Sequence, residues 1–101
     1  IHVLETLVGR RYGGSTGTIF FGACCLIADM AARGEAGALV MLGCDAGELY
    51  RDTYYSPEWL RQQGIDIAPA CEQMRALLAH GAWSPGAIER ADAMARKLPA
   101  M

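Results

Sequence analysis

The stretch Arg10-Arg11-Tyr12-Gly13-Gly14-Ser15-Thr16-Gly17-Thr18 gathers residue types that can hold a ligand. Glycines let a backbone approach its partner closely, and a helix opening just behind them offers N–H groups that have no intrahelical acceptor. With the hydroxyls of Ser15 and Thr16 added, the spot suits a polar or anionic ligand. The same hydroxyls can simply cap the helix, which is the commoner use of such residues. A second polar segment, Gly43-Cys44-Asp45-Ala46-Gly47-Glu48, leaves the carboxyl end of the apolar run Ala38-Leu39-Val40-Met41-Leu42. In open α/β sheets ligands collect at the carboxyl ends of strands.

The remaining reactive residues form no catalytic set. Cysteines stand at 24, 25, 44 and 71 without a Cys-x-x-Cys pair, a poor spacing for zinc. Apolar neighbours around the first three favour reduced, buried thiols and hence a cytoplasmic setting. His2 and His80 lack a ligand cluster, so structural roles or none are expected. Lys97 is the one lysine, next to Arg96, where a solvated surface role is expected. No metal site and no catalytic nucleophile or base is assigned. Packing is the expected role of Tyr50, Tyr54 and Tyr55, loop support or solvation that of Glu48, and anchoring of peripheral helices that of Trp59 and Trp83.

Elements must position the glycine turn. Apolar residues at 1, 4, 7 and 8 predict a helix that stops at Gly9. Ser15 or Thr16 is the expected N-cap of a second helix over about Thr16 to Arg33, apolar on nearly every face, with Asp29 as its only charge before Arg33. Its length falls short of the ~20 apolar residues of a membrane span, so a buried core helix is expected. Ala38 to Leu42 predicts a strand covered on both faces, whose partner strands come from outside this sequence or from another copy. Ser56-Pro57 starts a short helix ending at Gly64, and a further helix spans Pro69 to Ala79. A last helix starts at Ser84-Pro85.

With 101 residues, 52% of them hydrophobic, 20% charged and a net charge of −2, one ordinary globular domain is the ceiling. That balance gives no electrostatic reason to expect nucleic acid or an anionic membrane. No signal peptide is expected at the start of the chain. A helix apolar all round and a lone strand are more than so short a chain can cover, so it reads as the carboxy-terminal piece of something larger.

The segment Gly13-Gly14-Ser15-Thr16-Gly17-Thr18, then a long helix, an apolar strand and Asp45-Ala46-Gly47-Glu48-Leu49-Tyr50, resembles the carboxy-terminal region of the cysteine synthase family. These fold-type II pyridoxal-phosphate enzymes, tryptophan synthase β-like in fold, include cystathionine β-synthases and cysteine desulfhydrases. The resemblance covers residues 3 to about 83 and leaves 84–101 as an unmatched helical tail. It implies an α/β fold, helix-rich here with one buried strand, in which residues 1–101 form the end of the large cofactor domain. By the same resemblance Ser15 hydrogen-bonds the pyridine nitrogen of pyridoxal 5'-phosphate, with Gly13, Gly14 and Thr16 beside the ring. The implied reaction is β-replacement or β-elimination on an O- or S-substituted serine or on cysteine, in the cytoplasm, with neither nucleic acid nor membrane as partner and a homodimer open. The family's Schiff-base lysine and phosphate cradle lie upstream of the matched region, so the isolated chain is not expected to catalyse the reaction. Ala46 and Leu49 replace the family's usual Ser and Arg, and Ile19 replaces a polar residue. A non-catalytic oligomerising module and a degenerate remnant are the alternatives.

Overall fold

A computed structural model describes residues 1–83; the expected helix from Ser84 and Lys97 lie outside the described residues. Among the described residues four helices, α1 (His2–Val8), α2 (Gly14–Ala32), α3 (Pro57–Gln62) and α4 (Ala68–His80), are formed, with a 3-10 turn at Gly47–Tyr50. The helix stops fall where the glycines predict. Gly9 (φ 68°) and Gly81 (φ 75°) take the left-handed conformation and donate their N–H groups back to Glu5 and Leu77. Ser56 caps α3, its hydroxyl oxygen accepting from the Trp59 N–H at 3.2 Å ahead of Pro57.

Helix α4 packs against both α1 and α2. The core consists of Val3 and Leu4 from α1, Phe20 and Cys24 from α2, and Leu77 from α4. Tyr12, Ala28, Met41, Cys71, Met74 and Trp83 pack around it. On α1 the buried pair is Val3 and Leu4 while Leu7 and Val8 face outward, so the expected apolar face is rotated. One face of a seven-residue helix is all that α4 can cover.

Three expectations are corrected. First, α2 begins at Gly14 with Gly13 as N-cap and no side-chain cap, because the Thr16 hydroxyl is engaged elsewhere. Secondly, α2 is not enclosed. Thr16, Phe20, Ala23 and Cys24 form one buried stripe, whereas Ile19, Phe21 and Leu26 are exposed. Its length and composition also meet the minimum for crossing a membrane, so length does not separate the two readings. Its buried stripe lies against α4 and the core, as in a helix packed on protein. Thirdly, Ala38–Leu42 forms no strand, and no named strand occurs among the described residues. Leu39 and Met41 are half-buried while Val40 and Leu42 are 92% and 75% exposed, the period-two alternation of a segment covered on one side. A ladder needs a neighbouring strand, and the described residues supply none.

Candidate functional site

The two polar segments named by the sequence meet in space. Tyr12 and Ala46 form an isolated antiparallel bridge. The Gly13 N–H donates to the Asp45 carbonyl at 3.1 Å, and the Gly47 N–H donates to the Arg11 carbonyl at 2.8 Å. Thr16 adds a third tie. Its side chain is fully buried, and its hydroxyl oxygen accepts from the Cys44 N–H at 2.8 Å. Thus α2 is entered from a turn whose position is set by the 44–47 segment.

Two tyrosines close the other side of the turn. Tyr50 and Tyr54 stack with ring centroids 5.1 Å apart and 14° between planes. A Cβ on Gly13 would stand 2.5 Å from the Tyr50 ring, and one on Gly14 would stand 3.2 Å from the Tyr54 ring. Gly13 therefore admits an aromatic ring where any side chain would collide, and Gly14 one where a side chain would be tight. The Tyr50 hydroxyl donates to Asp45 at 3.3 Å, and packing together with that carboxylate pushes the phenol above its ordinary range. Edge-on contact with Trp59 at 5.9 Å anchors Tyr54 to α3.

Within this frame Ser15 is exposed on the first turn of α2 and its hydroxyl makes no hydrogen bond among the described residues. Gly14 and Tyr54 border an open, mainly apolar hollow of about 430 Å³ that also meets His2, Phe21 and Leu60; Ser15 does not line it. His2 has a structural partner, its Nε2–H donating to the Tyr54 carbonyl at 2.8 Å. Glu48, Ala46 and Leu49 are exposed, so neither Ala46 nor Leu49 leaves a buried group unpaired. All four cysteines are free; Cys24 is buried, Cys25 and Cys71 are half-buried, and Cys44 is exposed, contrary to the expectation of burial. Cys44 lies in a loop held by backbone pairing, with no core around it. Burial pushes the Cys24 thiol up, with the neighbouring Cys25 adding to the effect. Among the described residues no group of His, Cys, Asp and Glu could hold a metal ion.

Tyr55 is buried, as a packing role requires, but sequence reasoning missed what its hydroxyl does. Its hydroxyl accepts from the Tyr12 N–H at 3.1 Å and donates to the Tyr12 carbonyl, while the Arg11 guanidinium, paired with Glu5, lies 4.6 Å over its ring. No periodicity or turn signal marks a contact across 43 positions.

Comparison with known proteins finds one similar sequence to set beside this geometry. L-cysteine desulfhydrase Cds1 of Mycobacterium tuberculosis (strain ATCC 25177 / H37Ra) is 46% identical over 65 residues, which are 64% of this chain and 18% of that protein. A matched stretch of that length must include the middle of the chain, and hence the Asp45–Tyr50 loop. The chain is thus similar in sequence to a protein named as a cysteine desulfhydrase, which supports the resemblance its motifs carry. It spans less than a fifth of the length of the curated relative it matches. No family model matches, and no solved structure matches.

Proposed function

We propose that this chain forms one wall of a pyridoxal 5'-phosphate site in a cysteine desulfhydrase or cysteine synthase-like enzyme, with Ser15 as the residue that meets the cofactor ring. The observation that carries the reading is the free, exposed hydroxyl of Ser15 on a turn that every neighbouring contact holds in place. Kinship with a protein named as an L-cysteine desulfhydrase supports β-elimination on cysteine; β-replacement on an O- or S-substituted serine is the related reaction of the family resemblance.

The residues present fit the ring end of that cofactor. A hydroxyl both donates and accepts, so it can serve an aromatic nitrogen. When bound, the cofactor supplies the electron sink for bond breaking at the amino acid, while the protein supplies placement and electronic tuning. A carboxylate at position 15 would hold a ring nitrogen protonated, whereas the neutral Ser15 hydroxyl does so less. That weaker pull suits reactions in which a good leaving group departs. Gly13 and Gly14 serve by admitting Tyr50 and Tyr54, and Thr16 by holding the Cys44 loop. None of the described residues is assigned to the cofactor's phosphate or to its covalent attachment, and those tasks fall to parts of the protein outside this chain. Cytoplasmic location belongs to the same proposal.

Ser15→Asp in the cofactor-loaded protein tests it. The expected result is a changed absorbance spectrum of the bound cofactor together with altered turnover of cysteine. Unchanged spectra and kinetics would remove Ser15 from the site. The exposed Phe21, Leu26, Val40 and Leu42 favour a second reading, a non-catalytic oligomerising module. A mass that grows with concentration, without cofactor binding, would select it.

A further inference from the structure

Outside the motifs, one further contact reaches the turn that carries Ser15. In the bridge between Tyr12 and Ala46, the hydrogen bonds run from Gly13 to Asp45 and from Gly47 to Arg11. Tyr12's own N–H and carbonyl therefore point to the opposite side, where a sheet would offer a third strand. The Tyr55 hydroxyl stands there instead, accepting from that N–H at 3.1 Å and donating to that carbonyl. One phenolic oxygen thus does the work of a strand on a half-buried segment, three residues ahead of Ser15.

The phenol is itself fixed. Tyr55 is 8% exposed, the Arg11 guanidinium covers its ring at 4.6 Å, and the His2 ring packs on it at 5.2 Å between centroids. The titratable groups facing it are His2, Glu5, Arg11 and Glu48; a phenol is protonated in neutral solution, and burial, the largest influence, pushes it further up. A protonated hydroxyl is required, because a phenolate could not donate to the Tyr12 carbonyl.

We infer that Tyr55 is a positioning residue for the site, setting the place of the Ser15 hydroxyl through the backbone of Tyr12. The inference rests on the proposed cofactor role of Ser15, but its structural half is independent of that role. Tyr55→Phe keeps the ring and its contacts with Arg11 and His2, and removes only the hydroxyl.

The test compares the wild-type full chain as encoded with Tyr55→Phe, Ser15→Ala and the double variant. The readouts are amide exchange over residues 12–16, affinity for pyridoxal 5'-phosphate and the absorbance of the bound cofactor. Tyr55→Phe should speed exchange at Tyr12 about tenfold, with α4 exchange unchanged as the control for global folding. It should also shift the cofactor band in the direction that Ser15→Ala shifts it, and should add little once Ser15 is alanine. Unchanged exchange at 12–16, or fully additive effects on affinity and spectrum, would overturn the inference. If the wild type binds no pyridoxal phosphate, the cofactor reading fails and the inference that Tyr55 positions a site residue falls with it. The exchange rates would then still show whether Tyr55 holds the turn.

Discussion

The phenolic oxygen of Tyr55 engages both backbone polar groups of Tyr12, taking the N–H at 3.1 Å and giving its proton to the carbonyl. Together with the Gly13–Asp45 and Gly47–Arg11 hydrogen bonds, this fixes the entry into α2 from two sides. Ser15 is exposed in the first turn of that helix.

This phenol gives the protein an alkaline weakness of definite sign. Burial raises it above the ordinary tyrosine value of 10.0, so the folded state holds the proton longer than the unfolded state does. Its contribution is therefore fully present below pH 10 and is lost as pH rises through the folded-state value. Urea titrations of wild type and Tyr55→Phe should show a difference in pH slope confined to that alkaline range. Equal slopes there would mean that Tyr55 titrates alike in both states.

Gly13→Ala should destabilise the fold, because the new Cβ would lie 2.5 Å from the Tyr50 ring. Overpacking of this kind should lower Tm by roughly 5–15 °C. In a Tyr50→Ala background the same change should cost much less, and thermal melts of the four proteins measure that coupling. Full additivity would show that the ring does not rest on Gly13.

Thr16→Val removes the acceptor of the Cys44 N–H while keeping the side chain's shape. The loss should be about 0.5–1.5 kcal/mol, the net contribution of a typical hydrogen bond, because water can reach the freed N–H of the exposed Cys44. Amide exchange at Cys44 should rise more than that in α4. Unaltered exchange at Cys44 would place its N–H on water instead.

The helix boundaries were the legible part of the fold. Ser56-Pro57 and the glycines at 9, 64 and 81 act locally, through capping and left-handed backbone, and a local signal survives in one sequence. The start of α2 was misplaced because Thr16, a good local cap, spends its hydroxyl on Cys44, 28 positions away. The apolar run 38–42 shows the spacing of a half-covered segment, yet whether it forms a strand depends on neighbours that its own residues do not encode. At the site, the glycine turn and the Asp45 loop were each legible as motifs, but their pairing in space was not, because it rests on backbone hydrogen bonds across more than thirty positions. The hydrogen bonds of Tyr55 were not legible either, since a hydroxyl that reaches a distant backbone leaves no pattern in composition or period.

The most direct test of the central claim is the intact mass of the protein from its native source after borohydride reduction, which locks bound pyridoxal phosphate to its lysine. The account predicts a mass well above 10.8 kDa carrying a covalently held pyridoxyl group, because this chain spans 18% of the relative it matches. A mass of 10.8 kDa without that group would contradict it and would leave kinship with the family but no cofactor site.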